Sequence, residues 1–94
     1  MARRWSTRSR PIVWRQIGFV NAYLGRSEQS IPALEHSLGL DPRQPKVWQA
    51  LLEAYHAEGR REDVRRVHAR LLELDRAQAE QAYHDYLLPY EAAR

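Results

Sequence analysis

Pro11-Ile12-Val13-Trp14, Gly25-Arg26-Ser27-Glu28 and Leu38-Gly39-Leu40-Asp41 return 34 residues further on as Pro45-Lys46-Val47-Trp48, Gly59-Arg60-Arg61-Glu62 and Leu72-Glu73-Leu74-Asp75. With Gln44 over Gln78, ten of the 34 aligned positions are identical, where average composition gives about two. A period of this length marks stacked supersecondary units, each burying its apolar face on its neighbour, rather than one globular core. The fold expected is all-α, an α-solenoid of two antiparallel helix pairs plus one capping helix. Its parts are a basic arm over residues 1–10, repeats over 11–44 and 45–78, and a capping helix over about 76–88 with a tail to 94.

Within each unit the local chemistry reads helix–turn–helix. Ser9 or Arg10 precedes Pro11, which sits at the first helical position, where a missing N–H costs nothing. Val13, Trp14, Ile17, Val20, Ala22 and Leu24 follow the helical period until Gly25 stops it. Ser27 is expected to cap the second helix and Glu28 to favour its positive end. Ala33, Leu34, Leu38 and Leu40 form that helix's buried stripe, and Pro32 costs it one backbone bond. Asp41-Pro42 breaks the chain. A third helix runs from residue 45 to about 58 on Val47, Trp48, Leu51, Leu52 and Tyr55, ended by Gly59. Glu62 and Asp63 open a fourth, with a buried stripe of Val64, Val67, His68, Leu71, Leu72 and Leu74. Asp75 then caps a fifth, which Pro89 is expected to stop.

A 34-residue helix–turn–helix unit with W-x2-L-G-x2-Y in its first helix resembles the tetratricopeptide repeat. Trp14-x2-Ile17-Gly18 and Trp48-x2-Leu51-Leu52-x2-Tyr55 carry the resemblance, and Leu40-Asp41-Pro42 supplies the proline that closes a repeat. It covers residues 11–78 as two repeats, and the helix that follows resembles the solvating helix ending such arrays. The tyrosine slot of the first repeat holds Asn21, and the glycine slot of the second holds Leu52. A small residue in that slot lets two helices approach closely, so Leu52 opposite Val64 is expected to hold the second pair slightly apart or to force compensation from a smaller neighbour.

The resemblance implies a concave groove, lined by the first helix of each repeat, that takes an extended peptide or a partner helix. Aligned by the tryptophans, its lining is Ile12, Arg15 and Phe19, then Lys46, Gln49, Glu53 and His56, then Tyr83 and Leu87 of the last helix. The family's carboxylate clamp has no counterpart beyond Arg15, because Phe19 and Ala50 hold its asparagine slots and Glu80 and His84 replace its last basic pair. Two repeats are few for independent stability. The outer stripe of the first helix (Val13, Ile17, Val20, Leu24) has no polar helix before it, so the arm, a second copy in a homodimer, or a larger partner is expected to cover it.

Charge is segregated. Residues 1–27 hold six arginines and no acid, and the remainder holds nine basic and twelve acidic residues, giving the net +3. Arg3, Arg4, Arg8 and Arg10, with Trp5 among them, form an electrostatic arm that could contact phosphates or anionic lipid. Neither nucleic acid nor membrane is the favoured partner. On the fourth helix Arg61, Arg65, Arg66 and Arg70 are interleaved with Glu62, Asp63 and Glu73, with Glu62 and Arg66 at i,i+4 spacing, which reads as a salt-bridged solvent face. Cysteine is absent, which removes disulfides and thiolate chemistry. Apolar runs of a few residues cannot span a bilayer, so a cytoplasmic chain is expected.

Nothing in the sequence supports catalysis, a metal or a cofactor. His36, His56, His68 and His84 fall on different helices without ligand spacing, and His68 takes an aromatic packing slot. The four glycines are dispersed, which excludes a phosphate-cradling loop. The reading is therefore a small, non-enzymatic protein-binding adaptor or scaffold whose partner is another protein or peptide. A module tethered through its basic arm and an assembly subunit are the alternatives.

Overall fold

A computed structural model describes residues 10–92. They form α1 (Pro11–Tyr23), α2 (Ser27–Leu40), α3 (Pro45–Ala57), α4 (Arg61–Leu74), α5 (Arg76–Ala82), a π-helical segment (Tyr83–Leu87) and α6 (Leu88–Ala92). The fold is all-α: α1 packs on α2, α2 on α3, α3 on α4 and α4 on α5. The first helices of the pairs are also in contact, α1 with α3 and α3 with α5, which sets them side by side along one face.

Glycine ends the first helix of each pair in the same way. Gly25 and Gly59 have φ of 75° and 72°, the left-handed region that a side chain resists. Each turn closes with two bonds. Gly25 and Arg26 N–H groups donate to the Ala22 and Asn21 carbonyls, and Gly59 and Arg60 donate to His56 and Tyr55. These are paired Schellman closures, which satisfy carbonyls the helix end would orphan.

The second helix begins differently from expectation, whereas Glu62 and Asp63 do lie in the first turn of α4. Ser27 is the first helical residue and Arg26 the cap, whose side chain makes no capping bond; Glu28 does lie in the first turn. A serine inside the helix cannot present its oxygen to the amides of its own first turn, so backbone carbonyls alone close this end. The Asp75 cap is as expected, with Oδ1 accepting from Gln78 N–H at 3.0 Å.

The core lies between α2, α3, α4 and the last helix. Leu34, Val47, Leu52, Tyr55, Val67, Leu71 and Ala79 are fully buried, with Leu51, Val64 and Ala82 nearly so. Leu40 and Leu74, expected in the buried stripes, are 36% and 39% exposed. Both are the last residues of their helices, where the turn leaves and no neighbouring helix remains to cover them. The helix after Asp75 also outruns its expected end. Leu88 N–H bonds to Tyr83 O across the wider π turn, which places Pro89 in the first turn of α6. A proline there forfeits little.

The first helix is less buried than α2, α3 or α4. Gly18 is its one buried residue, and it marks a close crossing. A Cβ added there would lie 2.6 Å from Leu34 Cγ and closer still to Cδ2. The outer stripe is open, with Ile17, Val20 and Leu24 at 41%, 56% and 52% exposure. Gly18→Ala should therefore cost about 1–3 kcal/mol of unfolding free energy through overpacking against Leu34. Gly39→Ala, where an added Cβ meets nothing within 4 Å, should stabilise by roughly 0.5–1 kcal/mol. Urea unfolding of the two variants beside the parent reads both, with a lower midpoint for the first and a higher one for the second.

Candidate interaction groove

Gln44 is 8% exposed and ties the turn between the repeats to the helices on either side. Its Nε2 donates to the Asp41 carbonyl at 2.7 Å and to Ser37 O and Oγ at 3.1 Å each. The Ser37 hydroxyl in turn donates to Pro11 O at 2.8 Å, fixing the start of α1 against the end of α2. Asp41 Oδ1 accepts from Arg43 N–H at 3.0 Å, an Asx turn that sends the chain into α3. In the second repeat Gln78 takes the equivalent place and its Nε2 donates to Pro45 O at 3.5 Å.

These ties shape a recess of about 680 Å³ where α1 and α3 begin. Its walls are Pro11, Ile12, Pro45 and Val47, and its polar lining is Arg10, Arg15, Asp41, Arg43, Gln44, Lys46, Asp75 and Gln78. A smaller recess of about 290 Å³ adjoins it through the shared Lys46 and Gln78, and adds Gln49, Ala50 and Glu53. There the polar groups are bonded to one another. Gln78 Nε2 donates to Gln49 Oε1, and Gln49 Nε2 donates to Glu53 Oε2 at 3.2 Å. The Glu53 carboxylate also acts on the Tyr86 hydroxyl, whose pKa is raised by burial first and by that carboxylate second.

The nine concave-face positions expected from the sequence divide accordingly. Ile12, Arg15 and Lys46 line the larger recess, and Gln49 and Glu53 the smaller, beside Lys46 again. His56 lies under Tyr86, ring centroids 4.9 Å apart, and Phe19 packs against the core. Tyr83 turns towards α4, its ring 5.9 Å from that of His68, and its hydroxyl donates to Glu91, whose carboxylate raises its pKa. Leu87 is a core residue at 5% exposure and does not line the groove. Arg10 lines the larger recess, whereas Arg3, Arg4 and Arg8 lie outside the described residues. Sequence reading missed Asp41, Arg43, Gln44, Asp75 and Gln78, which belong to turns or to a helix start; the Gln44/Gln78 and Asp41/Asp75 identities were the available signal.

On the opposite face, Arg66 pairs with Asp63 at 2.9 Å rather than with Glu62, and Arg60 shares the same carboxylate at 2.8 Å. Arg66, first, and then Arg60 hold that carboxyl below its usual range. Choosing Asp63 also lets Arg66 donate to the Tyr55 hydroxyl at 3.4 Å. Tyr55 donates to the Glu35 carboxylate, and the Arg60 guanidinium lies 4.6 Å from its ring centre. One phenol thus clasps α2, α3 and α4. Burial, then Glu35, pushes its pKa up to about 12.

Because the folded chain holds this proton more tightly than the unfolded chain does, its contribution is complete below the ordinary tyrosine value of 10.0 and is lost as pH rises towards about 12. Tyr55→Phe should cost about 1 kcal/mol near neutral pH. The gap to the parent should close as pH is raised above 10, in paired urea titrations at neutral and high pH.

Among the described residues no three histidine, aspartate or glutamate side chains come together as metal ligands, and no helix is long and apolar enough to cross a membrane. A family model described as Bacterial transcriptional activator domain matches residues 1–78. No curated protein and no solved structure matches the chain.

Proposed function

The chain belongs to the bacterial transcriptional activator domain family, and on that premise we propose that it serves transcription as a non-catalytic binding module, holding an extended segment of a partner protein in its concave groove. The observation that carries this reading is the pair of adjoining recesses along the first helices, about 680 and 290 Å³. Their mixture of apolar wall, amide and charge suits a peptide backbone with side chains on alternate sides. In this reading the helix pairs are tetratricopeptide-type repeats, the chain is an adaptor, and it works in the bacterial cytoplasm.

Ile12→Ser and Gln49→Ala alter the two recesses without touching the buried core. Each should weaken capture of the partner by about tenfold, a change of about 1.4 kcal/mol, in quantitative pull-downs from the bacterial extract. Val20→Glu, on the outer face of α1, should leave capture intact. Full capture by both groove variants would overturn the reading.

A second reading is favoured by the exposure of Ile17, Val20 and Leu24: self-association through the outer face of α1. Light scattering that gives a dimer mass for the parent and a monomer for Val20→Glu supports it, and a monomeric parent at micromolar concentration rules it out.

A further inference from the structure

Four cations from three segments open onto the larger recess: Arg10 and Arg15 at α1, Arg43 in the turn, and Lys46 at α3. Among the described residues none of these four side chains forms an ion pair, whereas Arg60, Arg66 and Arg70 all do. The two carboxylates in the lining are bonded to backbone N–H groups, Asp41 to Arg43 and Asp75 to Gln78. Four cations against two carboxylates leave the recess at +2. The rest of the described chain carries seven basic and ten acidic side chains. Among the described residues the recess is thus the part that carries a positive excess, and its walls at Pro11, Ile12 and Pro45 are apolar.

We propose that this recess receives an acidic segment of the partner protein, with an apolar side chain seated against Ile12 and Pro45 and neighbouring carboxylates held by Arg10, Arg15, Arg43 and Lys46. The inference rests on the groove-binding reading and names the class of its partner. Arginine supplies forked donors that match a carboxylate, and an apolar wall beside them lowers the local dielectric and strengthens each contact. A nucleic-acid backbone fits less well. It presents one charge per about 1.7 Å along an extended rod, so a concave site with two carboxylates in its lining meets few phosphates.

The test is fluorescence anisotropy on the intact chain with three labelled probes: a short peptide interspersing glutamates with leucines, the same peptide with glutamines for glutamates, and a DNA duplex. The acidic peptide should bind, and the glutamine peptide should bind at least tenfold more weakly. The Arg15→Gln/Lys46→Gln variant, its helical content checked by circular dichroism, should lose that tenfold preference. Arg15→Lys/Lys46→Arg should restore it. Equal affinity for the two peptides, no binding of either, or a preference for the duplex that falls with the same double substitution overturns the proposal. The groove reading is separated by Ile12→Ser. If that variant loses both peptides while the parent holds them equally, the groove stands and the acidic preference falls. If it loses neither, the groove reading falls and the acidic-segment proposal with it.

Discussion

The contact of α2 with α3 is the constraint on which the rest depends. A helix pair of this kind has more apolar surface than its own partner can cover, so the pair is stable only when the next one lies against it. Here Leu34 and Leu38 of α2 meet Val47 and Leu51 of α3, and all four are buried in one cluster. Tyr55 extends the same junction with directed bonds, reaching Glu35 on α2 and receiving Arg66 from α4. Once the two pairs are stacked in this way, their first helices run side by side and their starts converge. The groove is a by-product of the core.

The residues that repeat in the sequence are largely those that build the backbone, which is why the fold could be read. Gly25 and Gly59 close identical turns in the left-handed region. Pro11 and Pro45 open helices, Gln44 precedes α3, and Gln78 stands in the first turn of α5. Repetition does not report burial, however. Leu40 and Leu74 are identical and equivalent, yet both are exposed, because a periodic pattern counts a leucine in the last turn as though a neighbour continued beside it. The tryptophans also share a slot and differ in use. Trp14 packs its ring at a tilt against His36, centroids 4.3 Å apart, while Trp48 donates its indole N–H to Pro42 O at 2.7 Å.

On regular α-helix the recess lining was legible in part, since Phe19 and His56 share the expected face but pack against the core and Tyr86. Ile12, Arg15, Lys46, Gln49 and Glu53 follow from helical spacing and occupy the recesses. The turn residues could not be found that way, since helical periodicity assigns no face to Arg43 or Asp75. Leu87 failed for a different reason. A π turn inserts one extra residue, and each residue advances a helix by about 100°, so every position beyond the insertion changes face. The buried residues of the last helix show it directly, with Ala79 and Ala82 followed by Leu87 five residues on. An α-helical register would have put residue 86 there, and Tyr86 instead leans towards α3 to meet His56 and Glu53.

The two copies use one scaffold position differently, although both glutamines line the larger recess. In the first repeat Gln44 is held by the Ser37 hydroxyl, which itself reaches Pro11 O, so the amide is consumed within the turn. In the second repeat the position of Ser37 is filled by Leu71, which is fully buried and has no hydroxyl to offer. Gln78 lies in the first turn of α5, and its Nε2 donates to Pro45 O at 3.5 Å and to Gln49 Oε1. That bond starts the ladder running through Gln49 to Glu53 along the inner face of α3. The repeated glutamine is thus the residue before α3 in one copy, bonded within its turn and lining the larger recess, and a residue of the first turn of α5 in the other, where it borders both recesses.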